Sequence, residues 1–572
     1  MISSKPDHAF WWACAASFAA AILVVLPFCF LGQASGHDFQ FHVASWADVA
    51  QQWRSGVVFP RWAAWANHGF GEPRFIFYPP LSWCVGAALG LLLPWSLVPG
   101  AFIVLCLVFS GISMFRLARA WLSPLAAVAA SVIYAANPYQ LFVAYVRSDF
   151  AELLAAALFP LAIHYALRCI ADSSSDPSRR ALNELRHVAL LAVTYGVIWL
   201  ANAPAAVIVS YALAFLFVLC AILRRSARTI VAGLVAFVLG LLLAAFYIVP
   251  AVYEQTWVNI GQINSAGFLP AENFLFTQIL DPEHNLVNLQ ISTIAVFLIA
   301  FTGIAALVSH RRAKSSYFIW SALFALTCLS VFLMFSASGG VWRYAPELKF
   351  LQFPWRWLLI VSIGFAFFMG EVVAASRWRL ILALSCAVLL NGTGFAMTRI
   401  TYWDSDDLDD VVAAVSNGQG YDGAYEYCPS ACDPAALPAN PPPVAILPEQ
   451  SEGVADTSTR QTPTTLGSVS VEAWQPERKT FRVDTPIPAR AEVRLLNYPA
   501  WNVRVNGVVI TPEADPETEQ MLVPVPAGKS RVEIRFARTI DRVIGGAISA
   551  LAALVTSGLL YLEWRKRRRD PL

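Results

Sequence analysis

The stretch Pro79-Pro-Leu-Ser-Trp-Cys-Val-Gly-Ala-Ala-Leu-Gly-Leu-Leu-Leu93 decides the fold, because the side of the membrane given to every later residue depends on whether it crosses. It is apolar throughout, yet shorter than the roughly 20 residues a spanning helix needs. The chain around it leaves no doubt that a membrane is involved. Of 572 residues, 57% are hydrophobic and 14% charged, far from the composition of a soluble domain. Runs of spanning length lie near residues 10–31, 97–115, 122–137, 150–170, 187–201, 203–223, 229–250, 289–309, 315–335, 354–374, 378–397 and 541–562, which predicts about twelve transmembrane helices. The first run exceeds a signal-peptide core and has no small-residue cleavage pattern, so it is expected to be a retained helix.

Charge chooses between the two topologies. If 79–93 stays on one face and the N-terminus is cytoplasmic, six basic clusters fall on the cytoplasmic side: Arg116/Arg119, Arg179/Arg180/Arg186, Arg224/Arg225/Arg228, Arg311/Arg312/Lys314, Arg377/Arg379 and Arg565 to Arg569. If 79–93 crosses, all six move outside, against the excess of Lys and Arg that cytoplasmic loops carry. The expectation is therefore a juxtamembrane segment, both termini cytoplasmic, and an outer face built from residues 32–96, 138–149, 251–288, 336–353 and 398–540. Topology accounts for the basic residues, and the net charge of +2 gives no signal for nucleic acid, which is not expected as a partner. Eight of the ten cysteines lie in or beside apolar runs and read as buried hydrophobes. Cys428 and Cys432 lie in the large external segment, where an oxidising compartment would permit a disulfide.

Four regions follow: a membrane domain over 1–397, an external linker region over 398–466, a β-sandwich-like module over 467–540, and a final helix with a basic tail over 541–572. Pro438 to Pro448, with Pro441-Pro-Pro443, reads as an extended linker. Beyond it, Ser468–Ala473, Thr480–Val483, Glu492–Leu495, Trp501–Val505 and Arg531–Phe536 alternate apolar with polar residues, as half-buried strands do. Asn506-Gly507 and Pro526-Ala-Gly528 are predicted as tight hairpin turns.

Several motifs recur in order along this framework. They are Trp53-Arg-Ser-Gly56, Phe59-Pro-Arg-Trp62, Asn67-His-Gly-Phe-Gly-Glu-Pro73, Phe77-Tyr-Pro-Pro-Leu81, Tyr145-Val-Arg-Ser-Asp-Phe-Ala-Glu152, Leu351-Gln-Phe-Pro-Trp-Arg-Trp357, Tyr425-Glu-Tyr-Cys-Pro429 and Tyr498-Pro-Ala-Trp-Asn502. Together with an Asp after the first span, they resemble the GT-C superfamily of membrane glycosyltransferases that use polyprenyl-phosphate sugars. The nearer resemblance is to its bacterial branch labelled 6-pyruvoyl-tetrahydropterin synthase-related membrane protein, close to the lipoteichoic-acid glycosylation proteins. The pterin label itself finds no support, since a soluble zinc synthase needs a compact histidine-rich fold and the eight histidines here are scattered. The resemblance implies a multi-pass protein of the bacterial inner membrane with its site on the periplasmic face. It also implies a polyprenyl-phosphate-linked sugar donor, a glycan, lipid or protein acceptor, and inversion in one displacement.

That chemistry needs a base for the acceptor hydroxyl and positive charge for the departing phosphate, but no general acid, because a phosphate leaves as an anion. Asp38, in Ser35-Gly-His-Asp-Phe-Gln-Phe-His42, is the expected base by position and by resemblance; the plainer reading is a helix cap or an interfacial charge. His37 and His42 flank it as substrate-binding residues. No cofactor is required; a divalent metal is compatible with these residues, but their spacing is no metal signature. Arg147 and Arg356 are expected to hold the donor phosphate, against an internal ion pair for Arg147 and snorkelling for Arg356. Asp149 and Glu152 are three apart at a helix start, where acids also simply favour the dipole. His68, Glu72, Arg74, Glu426 and His284, the last within Asp281-Pro-Glu-His284, are further candidates for binding sugar. Two other functions remain open. A transporter of lipid-linked sugars would show internal repeats and midplane charges, and neither stands out. A non-catalytic member would bind glycan or an assembly partner through its β-module.

Overall fold

The computed structural model describes residues 8–171, 177–310, 317–375, 379–449 and 466–569. Among these residues, nine helices are long and apolar enough to cross a membrane, and two further pairs qualify if each bent pair counts as one span. The chain is a polytopic helical membrane protein with a C-terminal β module. The helix starts are written locally. Ser123 caps the helix beginning at Pro124 by accepting from Ala126 N, Asn137 caps Pro138–Phe142, and Asn202 caps Ala203–Arg224, each with Pro in the first turn where no amide donor is missed.

Two expected spans are broken. The 229–250 run divides into Ala227–Leu243 and Ala245–Trp257, bent by 74°, and the 315–335 run ends at Leu333 before a 92° bend into Ser336–Tyr344. Hydropathy registers the run but not the break. Residues 138–147, expected as loop, continue the Pro124 helix and close in a π-helical turn over Val143–Arg147. The Pro80–Leu92 helix has 13 residues; at about 1.5 Å per residue it is about 20 Å long, short of a hydrocarbon core of about 30 Å.

The five segments expected outside touch one another. Ala34 bridges Trp403, Ala66 bridges Tyr421 and Val258 bridges Pro429; Gln352 donates to Ile263 O, and Tyr498 to Glu254. At the other end Arg224 donates to Ile170 O and Arg228 pairs with Glu184. Arg311, Arg312, Lys314, Arg377 and linker residues 450–465 lie outside the described residues, as do the side chains of Arg179, Arg180, Arg379 and Arg567 to Arg569.

Among the described residues the module has nine strands: β1 (Val444–Pro448), β2 (Ser468–Gln475), β3 (Arg478–Thr485), β4 (Ala489–Leu496), β5 (Trp501–Val505), β6 (Val508–Ile510), β7 (Glu513–Ala514), β8 (Gln520–Val525) and β9 (Gly528–Phe536). They form a four-stranded sheet ordered β1-β4-β8-β7 and a five-stranded sheet ordered β2-β3-β9-β5-β6. The sheet begins earlier than the expected 467, because the end of the proline-rich stretch is not linker: it pairs antiparallel with β4 as an edge strand, where Pro is tolerated. Asn506 and Gly507, both at positive φ, close the β5–β6 hairpin as expected. The Pro526-Ala-Gly528 turn is not a hairpin, since it carries the chain from β8 in one sheet to β9 in the other. Phe481, Val493, Val523 and Ile534 fill the core between the sheets, and the same cluster takes in Trp62, Phe70, Ile76, Phe77 and Tyr427. The module is therefore packed on the loop that follows the first membrane helix.

A candidate active site of clustered carboxylates and arginines

The Ala34–Asp38 segment lies against Val146–Asp149. His37 N and Asp38 N donate to Val146 O and Arg147 O at 3.3 and 2.8 Å, and Ser148 Oγ accepts from Gly36 N while donating to Ala34 O. A side chain at Gly36 would place its Cβ 2.4 Å from Val146 O, so this approach requires glycine.

Asp38 occupies the N-cap position of the Phe39–Arg54 helix, yet its side chain makes no capping hydrogen bond. The helix-cap reading of Asp38 fails on that point. Its Oδ2 accepts from Arg147 Nη2 at 2.6 Å, and the side chain remains 35% exposed. Arg147 also lies 3.5 Å from Asp149 Oδ2 and 3.9 Å from Glu152 Oε2. Arg356 completes the cluster at 3.0 Å from Glu152 Oε2 and 3.4 Å from Asp149 Oδ2, and donates to Leu351 O. The Phe353 ring lies under both guanidiniums at 5.1 Å, with Trp355 at 5.3 Å from Arg147. Asp149 caps its helix through Oδ1, which accepts from Glu152 N, so the helix-start reading and the ion pairs hold together.

Three carboxylates thus surround two buried arginines. The two arginines, expected to hold the donor phosphate, are both ion-paired with acids of the same chain, while Arg147 Nη1 and Arg356 Nε lack a hydrogen-bond partner; the 138–149 segment is helical and turns Arg147 inward. Arg356 is buried and does not snorkel. Burial works against the Asp149 carboxylate, but the hydrogen bond from His42 and the charges of Arg147 and Arg356 prevail and hold its carboxyl below the usual range. The buried His42 places Nε2 3.7 Å from Asp149 Oδ1, and the exposed His37 has its pKa lowered by partial desolvation and by Arg147, against the opposite pull of Asp38.

Other candidates have different occupations. Glu72 and Arg74 are buried and paired at 2.6 Å; Glu72 accepts from Asn67 and Ala424 N, and Arg74 donates to Ser45. They fasten the 421–428 turn to the external loop and expose nothing to a sugar. His68 stands at the rim, 3.1 Å from the exposed Asp422. His284 places its Nε2 3.4 Å from Glu272 O on its own loop, and Asp281 caps the helix that carries it. Glu426 lies close enough to Glu72, Arg74 and Asp38 for their charges to act on it. Burial and the Glu72 and Asp38 carboxylates push its carboxyl up, opposed by its own backbone hydrogen bond and Arg74. The expected Cys428–Cys432 disulfide is replaced by two free buried thiols that hydrogen-bond each other, with Cys428 also against Asn67.

Sequence reading missed Tyr139, whose hydroxyl donates to Glu152, and Asp48, which accepts from Gln52, Trp65 N and Tyr421. Tyr139 sits in a segment that reads as loop, and Asp48 in an amphipathic helix where one acid is unremarked. A cation bridging Asp38 and Asp149 would need the position that the Arg147 guanidinium fills. Among the described residues no group of three or more His, Cys, Asp or Glu is placed to hold a metal ion, so the donor set does not fit one.

A family model described as "6-pyruvoyl-tetrahydropterin synthase related domain; membrane protein" matches residues 75–400. No curated protein matches the chain. Among solved structures it is similar to the apo oligosaccharyltransferase of Archaeoglobus fulgidus, with 15% identity and a TM-score of 0.37 over 74% of this chain and 57% of that one. It is also similar to ArnT from Cupriavidus metallidurans bound to undecaprenyl phosphate, with 14% identity and a TM-score of 0.40 over 71% and 75%. The chain spans little more than half the length of the archaeal protein.

Proposed function

The chain belongs to this 6-pyruvoyl-tetrahydropterin synthase related family of membrane proteins, and from that premise we propose that it is a glycosyltransferase that moves a sugar from a polyprenyl-phosphate donor to an acceptor hydroxyl, with Asp38 as the general base. The observation that carries the reading is the state of Asp38: one oxygen is fixed by Arg147, while the carboxylate stays partly open at the junction of the external segments. The ordered motifs that resemble the GT-C superfamily supply the donor class. By the distribution of basic residues, this end of the bundle faces the periplasm of a bacterial inner membrane.

The step is a single displacement. The acceptor oxygen bonds to the anomeric carbon as the carbon–phosphate oxygen bond breaks, its electron pair leaves with the phosphate, and the acceptor proton goes to Asp38. Arg147 links the two substrates. A donor phosphate drawing that guanidinium toward itself releases Asp38 from its ion pair and leaves its oxygen open to the acceptor hydroxyl, while Asp149, Glu152 and Arg356 keep Arg147 in reach of both.

Reconstituted protein with a defined polyprenyl-phosphate sugar tests this. Asp38→Asn keeps the shape and removes the basic oxygen, so transfer should fall at least about a hundredfold while donor binding persists. Near-normal transfer by Asp38→Asn removes the assignment. The mutual ion pairing of the five charged groups favours a second reading, a structural lock in a non-catalytic glycan-binding protein. It predicts no transfer by the unaltered chain and a lower melting temperature for each cluster variant.

A further inference from the structure

We infer that Tyr78, Tyr427 and Glu426 hold the sugar of the donor, and that this sugar is uncharged; the inference rests on the glycosyltransferase reading and names the substrate of the same site. The three come from two segments that the fold fastens together. Tyr78 ends the short Arg74–Phe77 helix. Glu426 and Tyr427 sit in the 425–427 turn, which Glu72 ties to the outer loop by accepting from Ala424 N at 3.0 Å. The Tyr78 ring lies 4.9 Å from Phe41 and 5.8 Å from His42, and Tyr427 lies 6.5 Å from the same Phe41 and stacks on Phe77 at 6.0 Å, centroid to centroid. Phe41 and His42 stand in the first turn of the helix that Asp38 opens.

Their polar ends are unused. Other tyrosines at this end of the chain donate: Tyr139 to Glu152, Tyr247 to Phe77 O, Tyr421 to Asp48 and Tyr498 to Glu254. Among the described residues the hydroxyls of Tyr78 and Tyr427 have no hydrogen-bond partner, and the Glu426 carboxyl meets only its own backbone N–H. Sheltered polar groups are normally paired, so unpaired ones gathered at one spot are completed by a ligand's polar groups. The charges of Asp149 and Arg356 act on Tyr78 together with that of Asp38, and Asp38 acts on Glu426 as well. In the displacement the sugar ring joins the phosphate, at the arginines, to the acceptor, at Asp38. Groups within reach of both ends flank that ring.

The chemistry of the three says which kind of sugar. Burial, with Asp149 acting on Tyr78 and Glu426 on Tyr427, pushes both phenols well above their usual range. They therefore stay protonated and donate to sugar oxygens without competing with Asp38 for the acceptor proton. A sugar carboxylate would find no cation to meet: Arg147 and Arg356 serve the phosphate, and Arg74 is held by Glu72 at 2.6 Å. Burial and the Glu72 and Asp38 carboxylates already push the Glu426 carboxyl up, and a further anion would add to that repulsion. The hydroxyls of an uncharged hexose both donate and accept, which suits two phenols and an acid.

Native mass spectrometry of the full chain in detergent, titrated with bare polyprenyl phosphate and with polyprenyl-phosphate glucose, mannose, galactose and glucuronate, tests this. At least one neutral carrier should bind more tightly than the glucuronate carrier. Losing a hydroxyl that bonds an uncharged group costs roughly fivefold in affinity, so Tyr78→Phe with Tyr427→Phe, which keeps both rings, should weaken that neutral carrier more than about tenfold and leave the bare carrier within about twofold. Glu426→Ala should show the same selectivity and serves should the double variant not fold. Equal loss of sugar-bearing and bare carriers, no loss of either, or tightest binding of the glucuronate carrier overturns the inference. Any of these leaves Asp38 as base, provided Asp38→Asn still abolishes transfer. Selective loss beside near-normal transfer by Asp38→Asn keeps this site and removes the base. An unaltered chain that binds none of the carriers removes the donor class and this site together.

Discussion

Arg147 and Asp38, 109 residues apart in the chain, meet with Nη2 2.6 Å from Oδ2. This contact turns an acid at a helix start into a held carboxylate. It joins the first external segment to the second and gives the buried Arg147 an exit toward whatever occupies the space beside Asp38.

Because Arg147 is shared, its loss should differ in kind from loss of Asp38. Arg147→Gln leaves three clustered acids with one guanidinium, so donor affinity should fall at least about tenfold and the melting temperature should drop, since an unpaired buried charge is costly. Arg147→Lys keeps charge but not the fork and should recover stability more than donor affinity. Equal donor affinity in Arg147→Gln and the unaltered chain would remove Arg147 from the phosphate's path.

Asp48 gives a pH signature. It is fully buried, and burial outweighs its hydrogen bonds from Gln52, Trp65 and Tyr421 and the charge of Arg74 to push its carboxyl up to about 6 from an ordinary 3.8. The folded chain therefore holds this proton more tightly than the unfolded chain. The associated stability is full below the unfolded value and is lost as pH rises to about 6, a span worth about 3 kcal/mol. Asp48→Asn cannot titrate, so unfolding free energies from pH 4 to 7 should show the unaltered chain losing ground to the variant until about pH 6 and then running parallel. A constant difference across that range would mean Asp48 keeps an ordinary pKa.

Much of the fold was legible because membrane spans are written as length and hydropathy, and helix starts as Ser or Asn before Pro. The bends after Leu243 and Leu333 were not, since an apolar run reads the same straight or broken. The site was half legible. Asp38, Arg147, Asp149, Glu152 and Arg356 stood out as charges at span ends, but their pairing depends on a helical 138–147 segment that sequence reads as loop. Glu72 and Arg74 misled because a buried structural ion pair and a sugar-binding pair share a composition.

The topology can be checked on its own. A reporter fused near Arg116 should read cytoplasmic and one near Arg74 periplasmic, because the Pro80–Leu92 helix is too short to add a second crossing between them. An external reading at Arg116 would invert every later assignment.

Cys428 and Cys432 should both be alkylated in unfolded, unreduced protein, since their thiols are free and enclosed beside Asn67. Peptide mapping that finds them joined would restore the disulfide and alter the packing assigned to the 424–432 turn.

The last expectation concerns how the β module is held. Glu254, at the end of the bent Ala245–Glu254 helix, takes Arg542 Nε at 2.7 Å and Nη2 at 2.8 Å on its two oxygens and also accepts from Tyr498 at 2.5 Å. Arg542 opens the final helix and Tyr498 sits between β4 and β5, so one buried carboxylate ties the module, the last helix and the bent pair together. Removing one partner of a buried pair typically costs about 3–5 kcal/mol, because the other charge is left without compensation. Glu254→Gln should therefore lower the melting temperature and expose the module to limited proteolysis near Ala537, while Glu254→Gln with Arg542→Met, which removes both charges, should recover most of the loss. If the double variant is no more stable than the single one, the pair is not what fastens the module, and the apolar contacts of Trp62 with Tyr498, Trp501 and Phe536 must carry the attachment alone.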